Sequence, residues 1–185
     1  MTEGHGSKYV ALVRGINVGR NKRVSMADLR DLLVSLGNAD VKTHLQSGNA
    51  VFTSRKANPA GLETEIEKGF RNTLGLTIRC LVRTGADLRA VIGGNPFQTE
   101  ATDGSRMLAL FLSQPLDPTL LATLDPRALG ADKIRLGERV VYQWCPDGIL
   151  AAPNVGAYVE KYLKVAVTAR NWNTVTRLGE LLDEA

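Results

Sequence analysis

The sequence predicts an α+β fold: tandem ferredoxin-like subdomains of the βαββαβ type, packed into one compact body. Three observations carry this reading. Residues 8–84 switch between strand-like and helix-like hydrophobic periods in the order β-α-β-β-α-β, that of a split βαβ unit. A similar succession restarts at Met107. The segment "VALV" at residues 10–13 aligns with "LALF" at residues 108–111, which reads as an internal duplication at a spacing of ninety-eight residues.

Each element has a local reason. "KYVALVR" (residues 8–14) is almost continuously apolar, as a strand covered on both faces must be. Ser25 is a helix N-cap with Asp28 three positions on, and Leu29, Leu32, Leu33 and Leu36 recur at helical spacing before Gly37 stops the helix. Residues 40–46 alternate, "SGN" turns, and "AVFTS" returns, which makes a hairpin. Asn58-Pro59 opens a second helix, because proline presets the first-turn φ and lacks only an N–H that has no partner there. Leu62, Ile66, Phe70 and Leu74 line that helix, and Gly75 ends it. "TIRCLVRT" (residues 77–84) supplies the fourth strand.

A connector at 85–105 follows, with a short helix capped by Thr84 and broken at Gly93-Gly94. The second half opens with the strand "MLALFL", then a short helix from Asp117-Pro118 that Pro126 closes off. "DKIRL" and "RVVYQWC" form a hairpin across Gly137 and Glu138. "GAYVEKYL" and "NWNTVTRLGELL" both read as helices, so a helix stands where the first half has its fourth strand. The divisions drawn are a flexible leader at 1–7 and subdomains at 8–84 and 106–185. Trp144 and Trp172 are expected to be largely buried.

Composition narrows the function classes. The 185 residues can bury a substantial core, and 44% hydrophobic with 23% charged residues is ordinary for a globular protein. A net charge of +4 and a pI near 9.2 suit a polyanionic partner without requiring one. The polar start "MTEGHGSK" is not followed by the apolar h-region of a secretory signal, and no apolar run approaches the ~18 residues of a membrane helix. Cys80 and Cys145 sit far apart in apolar runs and read as buried free thiols of a cytoplasmic protein. Two histidines and two distant cysteines make no usual zinc set, so neither a metal nor a cofactor is expected.

The candidate site comes from topology. In a split βαβ unit the first and second strands run the same way, so the loop after "YVALVR" and the turn "QSGN" share one sheet edge. The first helix must begin there too. The loop "RGINVGRNKR" (residues 14–23) has four cationic side chains and no carboxylate until Asp28. Glycine turns and helix N-termini offer N–H groups to anions, and Arg14 adds a forked cation. The ligand-binding candidates are therefore Arg14, Gly15, Asn17, Gly19, Gln46, Ser47, Gly48 and Asn49. Structural roles compete for each of them: glycines for positive φ, asparagines for turns, and the arginine stem for packing. "TARNWNTV" repeats the donor chemistry at a second helix start, adding Arg170, Asn171 and Asn173, with capping as the rival role for Asn171. No dinucleotide fingerprint, P-loop or nucleophile elbow occurs.

The blocks "ALVRGINVG", "LQSGNAVF", "VRT…NPF" and "TARNWNTV" resemble the signature of the bacterial family DUF1697 over about residues 9–182. The resemblance implies two tandem ferredoxin-like subdomains and the motif positions just named, together with Asn95, Pro96 and Trp172. It implies no reaction, the family being one of unknown function. Two departures stand out: Arg20 where such proteins often carry glycine, and "GILAAPN" at residues 148–154 where relatives resemble "GIGRSKL".

Three functions compete on this reading. The first is a small anionic or phosphorylated ligand, such as a nucleotide or an RNA end, bound at the loop edge. The second is an enzyme that uses the same arginine and carboxamide groups to stabilise developing charge, with no evident nucleophile. The third is RNA stacked on a sheet face, which needs Tyr9 and Phe52 exposed. A membrane partner is not expected, and the oligomeric state is left open.

Overall fold

The computed structural model describes residues 6–18 and 22–184. The contacts divide the chain into two compact units. One holds the described residues up to Arg89 together with those from Arg177 onward; the other is Ala90–Thr176.

In the first unit, β1 (Ser7–Val13) lies between β3 (Asn49–Ser54) and β4 (Cys80–Thr84), with β2 (Ala39–His44) outside β3. Every pairing is antiparallel, in the order β2-β3-β1-β4. Tyr9, Ala11 and Val13 face a core closed by α1 (Met26–Ser35) and α2 (Pro59–Leu74), through Leu29, Leu32, Leu33, Leu62, Ile66 and Phe70. Both helices start as the sequence predicts. Ser25 Oγ accepts from Asp28 N while Asp28 Oδ2 accepts from Ser25 N, and Asn58 Oδ1 accepts from Ala60 N. Gly75 ends α2 in the left-handed region at φ 64°.

Val10 and Leu12 point to the opposite face of the sheet and are equally buried. On that side Lys8 Nζ donates to Leu182 O at 2.7 Å, at the end of α6 (Trp172–Asp183), and Lys42 Nζ donates to Glu184 O at 3.0 Å. The last turn of α6 has no basic residue, so lysines of the sheet meet its negative end.

After α3 (Gly85–Gly93), the chain repeats the order: β5 (Met107–Leu112), α4 (Pro118–Leu121), β6 (Ile134–Leu136), β7 (Val140–Trp144), α5 (Val155–Tyr158) and β8 (Val167–Asn171), with the second unit's sheet ordered β6-β7-β5-β8. This corrects the expectation that the second half lacks a fourth strand. Residues 167–171 pair with β5, burying Val167 and Thr168, and then enter α6 with no loop between. Asn171 belongs to the strand and caps the helix at once, its Oδ1 accepting from Thr174 N at 3.0 Å. A strand that abuts a helix without turn residues leaves no sequence break to read.

The duplication also needs a one-residue correction. Val13 N donates to Gly48 O and Arg14 N to Arg79 O; the matching pair is Leu112 N to Arg139 O and Ser113 N to Ala166 O. Leu112, the equivalent of Val13, stands ninety-nine positions later, not ninety-eight. The core faces agree: Tyr9, Ala11 and Val13 in one unit, Leu108, Leu110 and Leu112 in the other. An alignment by similar letters slips one residue and turns the strand over. Trp144 and Trp172 are mostly but not fully buried.

β4 and β8 are edge strands, and carboxylates meet outward N–H groups along β4 and at the start of β8. Val82 N donates to Glu63 Oε1 at 2.8 Å and Cys80 N to Glu67 Oε1 at 3.1 Å. Four residues of helix rise span about 6.0 Å, close to two residues of strand, so Glu63 and Glu67 match alternate amides. In the second unit Val167 N donates to Glu160 Oε1 at 3.0 Å. Glu63 also lies 3.9 Å from the buried Arg83 guanidinium. Glu63→Leu is expected to lower unfolding free energy by about 1–3 kcal/mol, because the Val82 N–H is then buried without a partner. Urea denaturation measures this, and a loss under about 0.5 kcal/mol would show the carboxylate to be incidental.

Candidate functional site

The loop edge of the first unit is held together from its sequence neighbours upward. Val13 N donates to Gly48 O at 2.8 Å and Arg14 N to Arg79 O at 2.9 Å, so the strand end is fixed on both sides as it leaves the sheet. Gly15 (φ 66°) and Asn17 (φ 58°) turn the chain in left-handed conformations. Asn17 then pins the loop: its N donates to Lys22 O, its Oδ1 accepts from Val24 N, and its Nδ2 donates to Val24 O at 2.8 Å and Gln46 O at 2.7 Å. Ile16, 2% exposed, plugs the core beneath. A Cβ on Gly48 would lie 2.7 Å from Ile16 Cδ1 and 2.8 Å from Val13 Cβ, so only glycine fits under that plug.

The two loops therefore do meet, as the topology demands, but the carboxamides of Asn17 and Asn49 are spent on structure. Asn49 is fully buried, its Nδ2 donating to His44 O and Ser47 Oγ, both at 2.9 Å. Both N–H bonds of Asn17 Nδ2 are used. The start of α1 is occupied by its own capping box, and the Asp28 carboxylate offsets the positive helix end there. Gln46, Ser47, Lys22 and Arg23 are exposed at this edge, and Arg14 is half-buried. Among the described residues neither Lys22 nor Arg23 pairs with a carboxylate. Arg79, which the sequence reading passed over, is 71% exposed and 3.5 Å from Glu67. Gly19 lies outside the described residues.

Arg170, Asn171 and Asn173 belong to the second unit, so the sequence-predicted residues fall into two groups. Arg170 is on β8, with Nη1 donating to Ala169 O, and Asn171 is the cap of α6. Asn173 is exposed beside Gly104, where a Cβ would meet its Oδ1 at 2.2 Å.

Sequence reasoning also missed a cavity of about 140 Å³ in the second unit, lined by Ile134, Gln143, Trp144, Cys145, Ala152 and Pro153 among others. The available signal was the parity of "RVVYQWC": Gln143 shares the inward face with Val141 and Cys145. Burial raises the pKa of the Cys145 thiol, which keeps it protonated. Among the described residues no group of three His, Cys, Asp or Glu side chains is placed to hold a metal ion, and no helix is long and apolar enough to cross a membrane.

The molecule so defined is an α+β protein of two four-stranded antiparallel sheets with one strand order, carrying a pinned basic loop edge on the first. The family described as Protein of unknown function (DUF1697) matches residues 7–142, and the chain belongs to that family. The match takes in the first loop group and stops before Arg170, Asn171 and Asn173. The structure of a conserved bacterial protein from Streptococcus pneumoniae is similar, with a TM-score of 0.72 and 28% identity over 95% of this chain and 98% of that one. No curated protein matches the chain.

Asn17→Ala is expected to cost about 2 kcal/mol or more, from three lost side-chain bonds and a left-handed alanine, read as a lower urea midpoint. His44, at the base of the same turn, has its pKa lowered from 6.5, first by burial and then by the Arg177 charge. Its neutral form is the one the fold favours. The resulting stability is present above about pH 6.5 and is lost as pH falls through the lower folded-state value. An NMR titration should place His44 below 6.5; a value at or above it would contradict the assigned environment.

Proposed function

We propose that the first unit binds a small anionic or phosphorylated ligand at its loop edge, against Arg14, Gly15, Gln46 and Ser47. The observation that carries the reading is the Asn17 bridge from Val24 to Gln46, which holds two loops on one edge beside the exposed Gln46, Ser47, Lys22 and Arg23. A pre-set loop gives up little conformational freedom when a ligand arrives. Gly48 and Asn49 support the turn from within, and Lys22 and Arg23 add long-range attraction for an anion. Arg170, Asn171 and Asn173 are not needed for this reading.

Each unit is best read as a ferredoxin-like subdomain, a reading that the two identical strand orders support. Two buried free thiols support a reducing compartment, the cytoplasm. Stacking of RNA on the sheet face finds no support: Tyr9 and Phe52 stack on each other inside the core, 2% and 1% exposed.

The test is binding of inorganic pyrophosphate, a nucleoside diphosphate and a 5′-phosphorylated short RNA to the full chain. Arg14→Ala should weaken whichever binds about ten- to a hundredfold, at on the order of 1.5–3 kcal/mol for a charge-assisted bond, with little change in melting temperature. Arg14→Lys should weaken it as well, because an ammonium makes no forked contact. A destabilised Arg14→Ala that still binds normally would sink the reading.

A further inference from the structure

We propose a second binding site, in the cavity of the second unit, for a small neutral or cationic ring-sized molecule that carries a hydrogen-bond donor. The cavity measures about 140 Å³. A cavity of about 150 Å³ is known to accept benzene, so one ring fits and a nucleotide does not. Its walls are more apolar than polar, with Ile134, Cys145, Ala152 and Pro153 beside Gln143.

One wall group is out of keeping with the rest. Gln143 is 3% exposed and lies on the core-facing side of β7. Its Nε2 is anchored on Pro153 O at 2.8 Å, which fixes the amide orientation, since the reverse would set two oxygens together. That leaves Oε1 as the acceptor the residue contributes to the cavity wall, and no described group donates to it. Oε1 is therefore open to the cavity alone, and a ligand N–H or O–H can meet it in place of water.

The rim sets the sign of charge. Asp132 and Asp147 outnumber Lys133 there, which disfavours an anion. This separates the cavity from the basic edge of the first unit in ligand class as well as in place.

Phenol and toluene have nearly the same shape and differ in the donor, so they are the probes, with inorganic phosphate as a third. Binding to the full chain is followed by ¹H–¹⁵N NMR at the Gln143 side-chain amide and the Cys145 backbone amide. Phenol is expected to bind with a dissociation constant on the order of millimolar, roughly three- to tenfold tighter than toluene, and phosphate to shift neither signal. Gln143→Met should bring phenol down to the affinity of toluene. Ala152→Phe, which fills the cavity, should remove both. No shift with phenol means that the cavity holds only water, and the proposal falls. It falls equally if toluene matches phenol, if phosphate shifts these signals, or if Gln143→Met leaves phenol unchanged. If either variant unfolds, the wild-type comparison of phenol with toluene decides alone.

Discussion

Both units depend on a strand that is hydrogen-bonded on each side and covered on each face. β1 and β5 occupy that position, and their side chains are nearly all buried. A strand so placed cannot carry a polar group without a dedicated partner, so polarity is driven to its ends. In β1 the change comes abruptly: Val13 is fully buried and Arg14, the next residue, is half-buried at the rim. The position of the basic loop follows from where the apolar run must stop.

The repeated strand order shows what is fixed and what is free. The same two backbone bonds close each strand end, yet Arg14 in one unit corresponds to Ser113 in the other, and Gly48 to Arg139. Ser113 Oγ accepts from Ala166 N and its carbonyl accepts from Arg139 Nη2, so the second edge is closed by its own side chains. In the first unit glycine at that hairpin position lets Ile16 sink into the core and leaves the loop above it to present charge. One scaffold thus carries two different rims.

The fold was legible wherever local chemistry is decisive. Ser25 with Asp28, Asn58 with Pro59, and the left-handed Gly75 each announce a helix end through a bond or torsion that the residue itself supplies. β8 was not legible, because it is only five residues long and its last residue is also the helix cap. The convergence of residues 14–17 with 46–49 was legible from topology. That Asn17 and Asn49 would be consumed internally was not: a carboxamide suits a ligand and a backbone equally, and only the partner distances tell them apart. Gln143 was overlooked because one polar letter in an apolar strand says nothing until the void beside it is known.

The carboxylates along β4 and β8 bear on how this protein can meet others. A bare sheet edge invites another chain to add a strand, and that invitation is the common route to both peptide capture and amyloid-like stacking. Glu63, Glu67 and Glu160 already answer the amides such a visitor would need. A visiting strand would first have to displace a charge that also repels its own carbonyl oxygens. Strand addition is opposed along β4 and at the start of β8.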